Sequence, residues 1–183
     1  GDDIYNYSSA DLPTSTIEKN PVSVSLNGNG NIVACGAPYY DLDTNRYGFV
    51  RLFEFNDTSW NQLGNNIYGE AVGDYSGYSV SLSYDGNKIA IGSPQLKISI
   101  LSGMLTSFNQ LYEDINTNVG KVRVYEYIDN SWNKIGEDIE GESTSITIGY
   151  SVSLSSDGKI VALGGPHTRT SIDISAASGV VSI

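Results

Sequence analysis

Oxygen-rich spacing first draws the eye at Asp41-Leu42-Asp43-Thr44-Asn45, where ligand types alternate as they do in a loop wrapped around a hard cation such as calcium. The sixth position of that loop is Arg46, where a calcium hand turns on glycine. The twelfth is Leu52, where the hand supplies a bidentate glutamate. Asp41, Asp43 and Asn45 therefore stand as a metal candidate beside the plainer reading of a solvated polar loop. His167 is the single histidine and would have to act as the base of any Ser-His-Asp arrangement, with Asp173 close by in sequence. No G-x-S-x-G elbow accompanies it, and a lone loop histidine is more often solvated. One histidine and one cysteine cannot build a His/Cys metal cluster. Glu70 and Glu142 could form the carboxylate pair of a glycosidase, but they recur at equivalent places, and catalytic residues should break a repeat rather than obey it. No enzyme and no cofactor is expected.

The chain has 183 residues, 39% hydrophobic and 17% charged, enough to bury a core. Thirteen tyrosines and twenty glycines favour strands and turns over helices. Ten basic residues against twenty-one acidic ones give a formal charge of -11, which repels phosphate backbones and anionic lipid. Nucleic acid is not an expected partner. Membrane insertion is not expected either, because no run of 18 apolar residues is present, and Gly1 onward lacks the basic and apolar regions of a signal peptide. Cys35 has no internal disulfide partner and takes the slot of Ile91 and Leu163 in the copies described next, so it reads as a small core hydrophobe. Asn6-Tyr7-Ser8 and Asn56-Asp57-Thr58 are glycosylation sequons, compatible with an extracytoplasmic home.

Behind these side chains lies one element written three times. Ser23 to Pro38 reads SVSLNGNGNIVACGAP, Ser79 to Pro94 reads SVSLSYDGNKIAIGSP, and Ser151 to Pro166 reads SVSLSSDGKIVALGGP. Serine and apolar residues alternate, a turn reaches glycine at the eighth position (Gly30, Gly86, Gly158), and a second apolar run ends in Gly-x-Pro at Pro38, Pro94 and Pro166. Alternation around such a turn predicts a β-hairpin. GFVRLFEFNDTSW and GKVRVYEYIDNSW follow the first two copies and place Trp60 and Trp132 twelve residues after Gly48 and Gly120. These runs predict a third strand and the start of a fourth, with the two tryptophans in equivalent packing positions. Asn61, Gly64, Ile67, Gly69 and Glu70 then match Asn133, Gly136, Ile139, Gly141 and Glu142. In the third strand Val122 and Val124 face one way and Tyr125 and Tyr127 the other, as in a sheet covered on both sides.

The unit is thus four strands, a to d, with a variable b-c loop. The expected fold is an all-β β-propeller segment of four-stranded antiparallel blades, about three blades' worth. Residues 1-20 hold a strand d of a preceding repeat plus linker, 21-77 the first repeat, and 78-149 the second with a long b-c insertion at 95-119. Residues 150-183 hold a partial third, with Gly179 aligned to Gly48 and Gly120 at the start of strand c. A chain running from strand d to strand c is expected to be completed by further sequence or by a partner chain.

The repeat resembles the FG-GAP-like, integrin-α-type β-propeller repeats of surface and secreted proteins. Gly77-Tyr78, Asp85-Gly86, Gly36-Ala37-Pro38, Gly149-Tyr150 and Asp157-Gly158 carry the likeness over nearly the whole chain. The resemblance implies a propeller and weighs little on activity, since propellers host many. The turns NGNG, SYDG and SSDG hold at most one carboxylate each, so the calcium loops of that family are not carried over.

Within the insertion, Leu101, Met104, Leu105, Phe108, Leu111, Tyr112 and Ile115 recur at spacings of three and four, an apolar helical face. That face either folds back on its own blade or docks on a neighbouring protein, and it is the candidate partner-binding surface. The reading is a non-enzymatic structural or adhesive protein-protein interaction module of a cell surface, secreted or virion assembly. Its partners would be other protein chains. A carbohydrate- or calcium-dependent binding module, with glycans as ligand, is the alternative, and a hydrolase ranks last.

Overall fold

Each Ser-x-Ser-x run extends because its serines and its apolar residues fall on opposite faces, and each is turned back by a glycine held at positive φ: 73° at Gly30, 77° at Gly86 and 67° at Gly158. The computed structural model describes residues 23–39, 47–71, 73–95, 120–141 and 148–165, and the backbone of 177–182. The expected strand at 1–5, the Asp41 loop, the insertion face from Leu101 to Ile115, Glu142, Pro166, His167 and Asp173 lie outside the described residues.

The first repeat holds β1 (Ser23–Leu26), β2 (Ile32–Ala37), β3 (Phe49–Phe55), β4 (Trp60–Gln62) and β5 (Ile67–Tyr68). The second holds β6 (Ser79–Leu82), β7 (Lys88–Ser93), β8 (Lys121–Ile128) and β9 (Ser131–Glu140), and the third β10 (Ser151–Leu154), β11 (Ile160–Gly165) and β12 (Ala177–Ser182). The described elements are all strands, in three antiparallel sheets ordered β1-β2-β3-β4, β6-β7-β8-β9 and β10-β11-β12, with β5 also paired to β3. The three hairpins share one register: Ser23 faces Gly36, Ser79 faces Gly92 and Ser151 faces Gly164.

The fourth strand is bulged in the first and second repeats. Phe53 pairs with Gln62 and Val50 with Ile67, while Val124 pairs with Ile135 and Val122 with Ile139, so the outer strand carries extra residues at Gly64 and Gly136. In the first repeat the bulge splits that strand into β4 and β5. A bulge re-aims side chains, and here it turns Asn66 and Asp138 toward the arginines of the third strand.

One expectation is corrected in the third repeat. Gly179 does not stand where Gly48 and Gly120 stand. It pairs with Leu163, the place taken by Arg51 opposite Cys35 and by Arg123 opposite Ile91. Strand β12 accordingly begins at Ala177, and the alternation of Val161 and Leu163 on β11 sets the register rather than the glycine.

The core lies between sheets. Ile32, Ala34, Val50, Leu52 and Ile67 of the first sheet meet Val80, Leu82, Ile89, Ile91, Tyr125 and Trp132 of the second. The opposite face of the second sheet, with Ala90, Val122 and Val124, meets Ile148, Leu154, Val161 and Leu163 of the third. The middle sheet is therefore apolar on both sides, with Val122 and Val124 on one and Tyr125 on the other. Apolar surface buried this way contributes roughly 25 cal/mol per Å².

Candidate functional site

The serines do more than alternate. Ser23 Oγ donates to the Gly77 carbonyl of the next sheet at 2.8 Å, and Ser79 Oγ donates to the Gly149 carbonyl at 2.8 Å. Ser25 Oγ accepts from the Leu82 amide at 3.1 Å, and Ser81 Oγ accepts from the Leu154 amide at 2.9 Å. At the turn the Gly28 amide donates to the Tyr84 carbonyl at 2.9 Å, and the Tyr84 amide to the Ser156 carbonyl at 3.0 Å. The first strands of successive sheets are thus joined by one set of bonds, made twice.

Close approach is what this seam requires of its glycines. A Cβ on Gly36 would stand 2.1 Å from the Gly77 carbonyl oxygen, and one on Gly92 would stand 2.2 Å from that of Gly149. The glycine of each Gly-x-Pro run therefore admits the next repeat. Pro38 and Pro94 beside these glycines are fully buried.

In the hairpin turns the carboxylates serve the turn itself. Asp85 Oδ1 accepts from Ser83 Oγ at 2.6 Å and from the Asn87 amide at 3.0 Å, and Asp157 Oδ1 accepts from Ser155 Oγ at 2.7 Å and from the Lys159 amide at 3.2 Å. The serine hydroxyls hold both carboxyls below the usual range. Asn27 acts in the first turn as Ser83 and Ser155 do in the others, its Oδ1 accepting from the Ile32 amide at 2.9 Å. Those serines accept from Lys88 and Ile160 amides at 3.0 and 2.9 Å.

The strongest electrostatic feature went unread in the sequence. Arg123, buried on β8, places its Nε 3.0 Å from both carboxylate oxygens of Asp138 and an Nη 2.8 Å from Asp138 Oδ2. Its other Nη donates to Asp74 Oδ2 at 3.1 Å, and Glu70 Oε2 lies 3.0 Å from the Nη that meets Asp138. Glu70 and Asp74 belong to the loop after β5, so this arginine ties the first repeat to the second. Asp74 is fully buried and also accepts from the Glu70 and Ala71 amides and from Gln95 Nε2. Burial opposes ionisation of Asp138, but Arg123 and Lys134 outweigh it and hold its carboxyl far below the usual range. Burial pushes the neighbouring Tyr125 hydroxyl up to about 12, although the Arg123 charge pulls the other way. The guanidinium sits among the acidic groups here, and among the described residues no group of three or more His, Cys, Asp or Glu could hold a metal ion.

Trp132 is buried against the first sheet, its Nε1 donating to the Leu63 carbonyl at 2.9 Å and its amide to Asn65 Oδ1 at 3.0 Å. Its ring packs at a tilt against Tyr127, with centroids 5.1 Å apart. Trp60 holds the equivalent place on β4, half-buried, 5.2 Å from the Phe55 ring and packed on a cluster of Val33, Cys35 and Phe53. Burial pushes the Cys35 thiol up. The Gly-Tyr pairs also meet across the seam, with Tyr78 and Tyr150 ring centroids 5.0 Å apart. The candidate partner face and the Asp41 loop cannot be placed against this seam, because both lie outside the described residues.

No family model matches the chain, and no curated protein matches it. Among solved structures it is similar to the structure of U3-55K, at 14% identity and a TM-score of 0.48, covering 86% of this chain and 40% of that one. It is similar to the Kuenenia stuttgartiensis hydrazine synthase, at 13% identity and a TM-score of 0.45, covering 87% of this chain and 38% of that one. The tricorn protease gives 11% identity and a TM-score of 0.41, covering 88% of this chain and 13% of that one. The chain spans well under half the length of each, and likenesses this low carry no argument about family or activity.

Proposed function

We propose that the chain is a segment of an FG-GAP-like β-propeller that serves as a non-enzymatic structural or adhesive module of a surface, secreted or virion assembly. The observation that carries this reading is where the recurring residues act. The first two serines and the Gly-x-Pro glycine of the first two copies, and the Gly-Tyr pairs, all act at the seam between consecutive sheets. A chain whose repeated residues join sheet to sheet is built for architecture and contact. Catalytic groups would be placed once, at a position that departs from the repeat. Two internal seams with the same bonds suit blades arranged in series around an axis, each with its first strand innermost.

The test is a binding comparison with the chain coupled to beads. Purified surface and matrix glycoproteins, native and enzymatically deglycosylated, are offered in calcium and in chelator. Retention that survives both deglycosylation and chelation is the expected result. Retention only of glycosylated forms, or only in calcium, would move the reading to a carbohydrate- or calcium-dependent module. No retention of any kind would overturn the adhesive role.

A further inference from the structure

The sequon Asn56-Asp57-Thr58 occupies the turn between β3 and β4, and there the first repeat departs from the second, which reads Ile128-Asp129-Asn130. The second repeat carries its ladder up to the turn. Ile128 pairs with Ser131, and Asp129 and Asn130 between them both stand at positive φ, 52° and 63°. In the first repeat the ladder stops one pair earlier, at Phe55 and Trp60, and Asp57 alone of the turn pair stands at positive φ, 70°. The Asn56 side chain takes over the turn. Its Oδ1 accepts from the Thr58 and Ser59 amides at 3.2 and 2.9 Å and from the Thr58 and Ser59 hydroxyls at 2.8 and 3.3 Å. Backbone amides only donate, so they settle which end of the carboxamide is oxygen. The Nδ2 group is left outside the turn, without a hydrogen-bond partner among the described residues, and Asn56, Asp57 and Thr58 are all exposed.

We propose that Asn56 is a site of N-linked glycosylation, receiving an oligosaccharide from a polyprenyl pyrophosphate carrier in an extracytoplasmic compartment. The proposal rests on the surface or secreted reading and deepens it by naming a modification. In the transfer Nδ2 bonds to the anomeric carbon of the first sugar as the bond from that carbon to the pyrophosphate oxygen breaks. One amide proton passes to a base of the transferase, and the polyprenyl pyrophosphate leaves. The product is a secondary amide that keeps Oδ1, so the four bonds that shape the turn survive in the glycosylated chain. The third residue of the sequon supplies the required hydroxyl, and Thr58 Oγ1 already donates to the Asn56 carboxamide. A glycan here also leaves the seam alone: the sheet order puts β4 at the edge opposite β1, whose serines bond the next sheet.

The test secretes the 183-residue chain from eukaryotic cells behind a cleavable signal, with N6Q so that Asn56 heads the one sequon left in it. Release of the glycan by peptide N-glycosidase in heavy-oxygen water marks an occupied asparagine as labelled aspartate, which peptide mapping locates. Most of the secreted chain should carry one glycan, at Asn56. T58A should lose it and T58S should keep it. The glycosylated chain should melt no lower than the same chain made without a glycan in bacteria. Three results would overturn the proposal: a folded, secreted chain unmodified at Asn56, a glycan on Asn56 that persists in T58A, or glycosylated chain melting well below the bacterial product. Coupled to beads and offered the same glycoproteins, a chain glycosylated at Asn56 that retains nothing would defeat the adhesive role and leave the modification standing. A secreted chain unmodified at Asn56 that still retains protein would defeat the modification and leave the adhesive role.

Discussion

Arg51 and Arg123 hold the same place in two copies of the third strand, and the fourth strand offers them different partners. Arg51 donates from Nε to the neutral amide oxygen of Asn66 at 3.0 Å, and its guanidinium lies 5.1 Å from the centre of the Phe49 ring. Arg123 donates to the carboxylate of Asp138, the residue equivalent to Asn66, and reaches Asp74 and Glu70 of the preceding repeat. The bulged fourth strand delivers the partner in both cases. What changes in that partner is one atom, a neutral amide nitrogen in one repeat and a carboxylate oxygen in the other. The repeat therefore fixes the geometry of an arginine contact, and one substitution decides whether the partner on the fourth strand is charged.

Breaking each contact from one side should separate the two cases most widely. Arg123→Met leaves the buried Asp74 carboxylate without its cation, and breaking a buried pair from one side costs about 3 to 5 kcal/mol. Asn66→Ala removes the neutral acceptor of Arg51 and should cost about 1 to 2 kcal/mol, near that of a neutral hydrogen bond. Urea denaturation of the two variants measures both, and equal losses would break the comparison.

Asp138→Asn converts the second contact into the first, and should cost about 1.5 to 3 kcal/mol for the charge-assisted bonds lost. It should also alter the acid limb. The folded carboxyl of Asp138 titrates below its ordinary value of 3.8, so its contribution is fully present above that value and is lost as pH falls from there toward the depressed folded value. The variant should lose less stability than wild type between about pH 4 and 2. Denaturation midpoints across that range check the sign, and a parallel fall in both proteins would contradict it. The smallest effect belongs to Asn66→Asp, which gives Arg51 a half-buried carboxylate and should stabilise by no more than about 1 kcal/mol.

Much of the architecture was legible because the hairpin chemistry is local. Ser-x-Ser alternation and glycine at the turn fix where β1, β2, β6, β7, β10 and β11 lie, and the two-sided burial of β8 follows from its alternating valines and tyrosines. The contacts between sheets were not legible, since they join residues more than fifty positions apart, such as Ser25 and Leu82. Serine at every other position reads as a polar face until the neighbouring sheet is in place. Arg123 could have been flagged by its recurrence with Arg51 inside an otherwise apolar strand, the one signal the sequence did carry. Asp74 could not, because its partner belongs to the next repeat. The third repeat misled because Gly179 imitates the strand-opening glycines, while the ladder to β11 obeys side-chain alternation.

The central claim is that serine hydroxyls join successive sheets, and amide exchange of single residues by NMR tests it most directly. In Ser25→Ala the Leu82 amide loses its acceptor, and its exchange should quicken by about tenfold, the equivalent of roughly 1.4 kcal/mol, with the Leu154 amide unchanged. In Ser81→Ala the pattern should reverse, Leu154 quickening and Leu82 holding. Slow exchange of Leu82 in Ser25→Ala, or equal quickening of both amides in either variant, would contradict the account.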